Sequence, residues 1–585
     1  MTFRSTVLRL VIGCAVVVLG LSGCASIPTD SAPQPVQPFN RQVPTSALPT
    51  PQNDMDPEAL ARAFLRATAD PRNAHASARA FLTPTAAKQW DDRGDTVVLD
   101  DASLLVDERT DTSVTMRLIA DNSGILKVNG QLLPANGRVE TTMTMTRTTA
   151  GWRIDGALPS GVMLDRRQFE STYRLAMLYF TDPPAALSGA GNARLTPDPR
   201  WFYLGNYMPT DLLSRLIAGP TSELDGAVES SFPSGARLNG RAQVIRGAGM
   251  KVDFGGLGEM SGSARNLLAA QVIWTLHDAD VAGPYTLTAD GGPLVPGHSD
   301  EWRITDVESS NPNAVQQTSV GLNVLRAGAL YTINDQGASP VAGPLGTDRH
   351  LMAAAISADG TRVAAVQQSA DSPRVTLLAG AYGGTVSPLA SGATISRPSF
   401  GPNNYTVWAV VDGKPTQWVF ADSGTRVTVA DASSIATVLR GPIAQLKVSP
   451  DGARAALLVS GQLLFASIVT SPDGSIALTS PRIAAYNLGN DSTGIDWATP
   501  TTLMVARDTP EAPVAQVSIS GLPAVGLLSG NLTPPLRSVA ANATTVYVGD
   551  ARGVLRLGST DGQPDRSWTE VDGAMSPDAM PVLPG

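Results

Sequence analysis

Hydrophobic positions follow different patterns along this chain, and each pattern predicts a different kind of segment. From Val7 to Gly20 an apolar run is broken only by Arg9, with Arg4 ahead of it. The run is shorter than the roughly 20 residues of a membrane-spanning helix, and it has the layout of a secretory signal core. Residues 25–54 show no apolar period and hold seven prolines among Ser, Thr, Gln and Ala. Such a segment buries no core and prefers extended polyproline II backbone, which predicts a tether.

From Asp56 the period becomes helical. Asp56-Pro57-Glu58 supplies an N-cap, a first-turn proline and a first-turn acid, and Leu60, Phe64 and Leu65 continue on one face. A second helix is predicted over 74–82, ended by Thr83-Pro84. Period two then takes over, with strands predicted over 97–99, 113–119, 124–128, 138–146 and 152–154. Helices followed by a meander predict a small α+β domain over 55–160. Its outline resembles the curved sheets of cystatin- and nuclear-transport-factor-like domains. A second α+β domain is predicted over 170–300, with strands at 173–180, 200–204, 251–254 and 285–289. One of its helices, over 211–218, is stopped by Gly219-Pro220. Another, over 263–276, is read as amphipathic, with Leu267, Ala270, Trp274 and His277 on one stripe.

Beyond Gly321 the texture changes to short apolar runs separated by turns. Six Asp-Gly pairs follow residue 350, which is strong hairpin chemistry. Ser357-Ala358-Asp359-Gly360 precedes Val363-Ala364, Gly401-Pro402-Asn403-Asn404 precedes Val407-Trp408, and Ser449-Pro450-Asp451-Gly452 precedes Ala455-Ala456. Weaker copies begin at Ala498 and Ala541, so the repeats are spaced by 44, 48, 49 and 43 residues. A period in the forties with four strands per unit predicts an all-β propeller of about six blades over 321–585. The turn aspartates are read as backbone chemistry and not as metal ligands.

Composition then narrows the function. The 585 residues carry 43 Lys+Arg against 52 Asp+Glu, a net charge of −9, and 43% are hydrophobic. That apolar content excludes a disordered chain, and the acidic balance argues against a nucleic-acid binder. Only two cysteines occur, Cys14 and Cys24, so a disulfide framework is excluded. The four histidines, His75, His277, His298 and His350, have no partner at metal-ligand spacing. No Gly-x-Ser-x-Gly or Ser-x-x-Lys string occurs, and Gly256-Leu257-Gly258 lacks the last glycine and the βαβ frame of a dinucleotide loop. Carboxylates such as Asp165 and Asp253 stay open as a spatially paired glycosidase couple. The expectation is a protein that is not an enzyme and uses no metal or cofactor.

Particular residues carry resemblances to known families. Leu21-Ser22-Gly23-Cys24 resembles the lipobox of bacterial lipoproteins. That implies cleavage between Gly23 and Cys24, a diacylglyceryl group on the Cys24 sulfur and an acyl group on its new amino terminus. Residues 1–23 would then leave as the signal peptide, Cys14 with them, and 24–54 would be a lipidated tether. Met177-Leu178-Tyr179-Phe180, Leu212-Leu213-Ser214-Arg215-Leu216-Ile217-Ala218-Gly219-Pro220, Phe232-Pro233-Ser234-Gly235 and Lys251-Val252-Asp253-Phe254 resemble the GerMN domain, named from spore-germination proteins. In order along the chain, anchor, α+β domain, GerMN-like domain and propeller resemble the LpqB family of actinobacterial lipoproteins over residues 1–585. The resemblance implies a protein held on the extracytoplasmic face of the cell membrane as accessory lipoprotein of the MtrA–MtrB two-component system. Its partner would be the extracytoplasmic domain of the sensor histidine kinase, with effects on cell envelope and division. The alternative is an envelope glycan-binding protein or hydrolase.

Overall fold

The computed structural model describes residues 48–183, 194–204, 208–245, 249–560 and 563–585. The signal segment with Cys14, the expected cleavage bond, the lipidation residue Cys24 and the tether up to residue 47 lie outside the described residues. The first helix, α1 (Pro57–Ala67), starts where Asp56 accepts a hydrogen bond from the Ala59 N–H at 3.0 Å. It buries Leu60, Phe64 and Leu65. Two further helices follow, α2 (Arg72–Arg79) and α3 (Pro84–Gln89). Both correct the expected helix over 74–82. Residues 73–75 have φ of 51–53°, outside helical geometry, and Thr83-Pro84 begins a helix as well as ending one. Thr83 accepts from the Ala86 N–H at 3.3 Å, and proline at the first helical position suits a start as well as a stop.

The strands β1 (Thr96–Arg109), β2 (Ser113–Leu126), β3 (Leu132–Pro134), β4 (Arg138–Thr148), β5 (Gly151–Asp155) and β6 (Val162–Asp165) form a mixed sheet in the order β5-β4-β2-β1-β6, with β3 beside β2. The segments expected at 113–119 and 124–128 are one continuous strand. The polar stretch between them looks like a turn, yet Asp121 and Asn122 stay paired with Asp100 and Leu99 of β1. Bulges interrupt the register of β1 near Leu99, Asp101 and Asp107, where such features bend a strand and raise its twist.

After α4 (Arg166–Thr172), strands β7 (Tyr173–Thr181) and β8 (Leu195–Tyr203) pair antiparallel from Tyr173 opposite Tyr203 to Thr181 opposite Leu195. The strand expected at 200–204 thus begins earlier. Pro197 and Pro199 obscure it, but both have the same parity on β8, so their missing N–H groups lie along its outer edge and cost no pairing with β7. Then come α5 (Met208–Ile217), β9 (Arg237–Leu238), β10 (Gln243–Ile245), β11 (Gly249–Gly255), α6 (Gly262–Asp278), β12 (Tyr285–Ala289), β13 (Gly292–Pro293) and β14 (Glu301–Trp302). Strands β11 and β12 are parallel. The expected stripe on α6 is not what the fold uses. Leu268 to Leu276 are buried without a break, Leu267 is half-buried and His277 is exposed. The helix is enclosed on several sides. Thr275 accepts from the Tyr179 N–H, Trp274 donates to the Val307 carbonyl, and Gln271 accepts from the Ser231 N–H.

The remainder is a propeller of six sheets. Blades two to five each run as four consecutive antiparallel strands, beginning at Leu351, Ser399, Ile443 and Ser492, and the sixth begins at Ser538. The first blade takes Asn323–Arg326, Ala329–Asn334 and Gly337–Pro340 from one end of the region and Met580–Val582 from the other. Val582 pairs with Asn323 and Met580 with Leu325, which closes the ring. The recurring turns sit between the first two strands of the blades. In one of them Ser449 donates to Asp451 and accepts from the Arg454 N–H, while Gly452 takes φ of 84°. Asp359 is used in the same way by Ser357 and Thr361. Asp359 is satisfied inside its own turn, whereas Asp451 keeps one buried carboxylate oxygen without a hydrogen-bond partner, 3.6 Å from Arg454.

Candidate functional site

Residues Pro49 to Gly585 form one unit, and β8 is the element that joins its three parts. The outward-facing Trp201 N–H donates to the Gly130 carbonyl of the N-terminal domain at 2.7 Å. The indole N–H of Trp201 donates to the Ser520 carbonyl of the propeller at 3.2 Å. Arg454 of the propeller donates to the Pro197 carbonyl at 2.8 Å. Glu223 completes the junction by accepting from Gln131 at 2.9 Å and from Arg482 at 3.0 Å, while its carbonyl accepts from Ser467. Gly521 packs so closely on this seam that a Cβ would stand 2.0 Å from the Leu132 carbonyl oxygen, and its φ is 87°.

Charge is buried at the junction. Arg200 pairs with Asp198 at 2.7 Å, and Asp198 also accepts from the Thr221 N–H and hydroxyl. Asp182 lies 3.1 Å from Arg194. Burial pushes the Asp182 carboxyl up to about 6, with Arg194 opposing and the Asp451 charge adding to the rise. Buried pairs of this kind add little net stability but penalise any arrangement that leaves one charge alone, so they fix how the domains sit.

The propeller channel carries a second set of buried polar groups. Lys447 pairs with Asp496 at 2.8 Å and donates to the Gly585 carbonyl at 3.3 Å. The Gly585 N–H in turn donates to Ile356, so the last residues close this end of the channel. At the other end Arg397 donates to the carbonyls of Ala354, Val539 and Pro581, which belong to three different blades. Burial lowers the pKa of its guanidinium, partly opposed by the Asp496 charge. A separate hollow of about 230 Å³ lies in the N-terminal domain between Phe64, Trp90, Val139 and Met163.

The residues raised by the sequence are spread apart. Asp165 caps α4 by accepting from the N–H groups of Arg167 and Gln168. Asp253, on β11, accepts from Thr288 at 2.6 Å, Asn239 at 2.9 Å and the Gly291 N–H at 3.0 Å. Burial works against its ionisation, and these hydrogen bonds outweigh that and hold the carboxyl below its usual range. The two aspartates therefore stand in different domains, each satisfied by structural donors. His75 pairs with Asp92 at 2.8 Å, His277 packs edge-on against Trp274, and His298 stacks on Trp302. His350 lies 3.8 Å from Asp348. Among the described residues no cluster of three or more His, Cys, Asp or Glu side chains is placed to hold a metal. Arg397, Arg454 and Arg482 carry no sequence signal, because their partners are mostly carbonyls and residues far away along the chain.

Fold and junction together define a class: a multi-domain propeller protein in which two α+β modules are locked onto one face-forming scaffold. Comparisons with known proteins sharpen this. Residues 50–170 match the family described as Lipoprotein LpqB, N-terminal domain, 177–295 match Sporulation and spore germination, and 328–584 match Lipoprotein LpqB beta-propeller domain. Lipoprotein LpqB of Rhodococcus jostii is 38% identical over 97% of this chain and 96% of its own length. That of Mycobacterium tuberculosis is 36% identical over 97% of each. The solved structure of TolB from Acinetobacter baumannii is 16% identical, covers 45% of this chain and 67% of its own, and has a TM-score of 0.31, so the strand pairing above and not this likeness defines the fold. The chain belongs to the LpqB lipoprotein family. Among the described residues no helix is long and apolar enough to cross a membrane.

Proposed function

We propose that this protein is held on the extracytoplasmic face of the cell membrane by lipid on Cys24 and acts by binding. Its partner in this reading is the extracytoplasmic domain of a sensor histidine kinase of the MtrB type. The observation that carries the reading is the junction at β8, where Trp201, Arg454 and Glu223 join three domains into one body. A body of that kind presents a fixed surface, and binding to one state of a partner shifts the partner's equilibrium by the difference in affinity. A preference of about 1–3 kcal/mol changes that equilibrium roughly 5- to 150-fold. In support, Asp165 and Asp253, the carboxylates raised as a hydrolase pair, serve as a helix cap and a loop anchor.

The test is calorimetry between the purified ectodomain of the kinase and residues 49–585, with a parallel incubation of the same protein on isolated cell wall. Saturable binding without release of soluble wall fragments is the expected result. Absence of binding into the high micromolar range, or release of wall fragments, overturns the reading in favour of a glycan-binding protein or hydrolase.

A further inference from the structure

We propose that the open mouth of the propeller channel is a binding site for an organic carboxylate with one apolar flank. The cavity there measures about 300 Å³ and is walled by residues from five blades and by Arg397, on the loop leading into the third. Arg397 stands in it. Three of its five N–H groups are taken by blade carbonyls, which leaves two for a ligand. Arg537 stands at the rim, exposed, with its side chain donating only to the Pro577 carbonyl. Neither guanidinium has a carboxylate within ion-pair distance among the described residues, and no acid lines the cavity. The nearest acid deeper in the channel, Asp496, is already held by Lys447 and by the Ala541 N–H.

The apolar side chains of Leu325, Met352, Leu458 and Met580 also line the cavity. Two guanidiniums without a carboxylate partner, beside these apolar side chains, suit a planar carboxylate, which accepts from an Arg fork, carried on a short hydrophobic body. A peptide chain end and a free organic acid both present this chemistry. The site is separate from the β8 junction, so the proposal stands whether or not the kinase reading does.

The experiment is calorimetry on the detergent-purified full chain with four probes: N-acetyl-alanyl-alanine, its C-terminal amide, hexanoate and inorganic phosphate. A carboxylate probe should bind with the amide at least tenfold weaker. Arg537→Gln, a substitution at the exposed rim, should weaken the carboxylate at least fivefold. Tighter binding of the acetylated dipeptide than of hexanoate assigns the source to a peptide end, and the reverse assigns it to a free acid. The proposal is overturned by any of three results: no carboxylate binding at 10 mM (roughly 2.7 kcal/mol at that limit), equal binding of acid and amide, or phosphate binding tighter than either carboxylate. Binding that ignores Arg537→Gln overturns it too.

Discussion

Arg200 turns back on β8 to meet Asp198, two residues earlier, at 2.7 Å, and both side chains are almost wholly withdrawn from water. The remaining donors of Arg200 reach the carbonyls of Asn129 in the N-terminal domain and Gly219 after α5. One ion pair therefore ties a strand to two neighbours. Removing one partner strands the other. Asp198→Ala should destabilise the protein by about 3–5 kcal/mol. The paired change Asp198→Leu with Arg200→Met should cost less than Asp198→Ala alone, because no charge is left behind. Urea denaturation of the two variants checks this, and a double variant at least as unstable as the single one contradicts it.

Asp182 provides a pH dependence with a definite sign. Its carboxyl is raised from 3.8 to about 6, chiefly by burial, so the folded protein prefers the protonated form. The stability this group contributes is fully present below about 3.8 and is lost as pH rises through about 6. Asp182→Asn, which keeps the neutral shape, should therefore gain on the parent between pH 4.5 and 7.5, by on the order of 1–3 kcal/mol at the upper end. Thermal melts across that range test it. A gap between variant and parent that stays constant with pH would show that Asp182 does not titrate there.

Gly521 is a point of close approach between propeller and N-terminal domain. A methyl group at that position meets the Leu132 carbonyl and also disfavours the positive φ. Gly521→Ala should loosen the seam, at a cost of about 1–3 kcal/mol for the backbone alone. Limited proteolysis should then cut between the two α+β domains and the propeller at lower protease concentration, with the blades themselves still protected. Unchanged cleavage kinetics would mean that Gly521 does not hold the seam.

The anchor is tested separately. Cys24→Ala should release the protein from membranes into the soluble fraction and abolish lipoprotein-type processing, since stable attachment needs more than one acyl chain and no other cysteine is placed to carry them. Retention of the variant in the detergent phase would count against the lipobox reading.

What could be read from the chain depended on how local the cause was. Several blades were legible because a turn whose chemistry is complete within six residues announces them, as Ser449, Asp451 and Arg454 illustrate. Helix α3 was hidden because Pro84 signals a stop and a start with the same residue. Strand β8 was obscured by Pro197 and Pro199, which are harmless because their missing N–H groups fall on the edge away from β7. The stripe expected on α6 failed because neighbours cover the helix on several sides, so amphipathicity no longer marks its buried face. The junction and the channel mouth were invisible for a different reason. Arg397 serves carbonyls of Ala354, Val539 and Pro581, and no window along the sequence contains them together.

The first blade has a consequence for biogenesis. Its innermost strand, Met580–Val582, pairs with Asn323–Arg326 across the whole length of the propeller region. While the chain is still emerging from a ribosome or an export pore, those early strands have no partner on that side, and an unpaired strand edge invites intermolecular association. Ring closure is a non-local event that must wait for the last residues, and such events are slow. A chaperone or a membrane-tethered neighbour that shields the edge at Asn323–Arg326 during that interval would raise the yield of folded protein without altering its final stability.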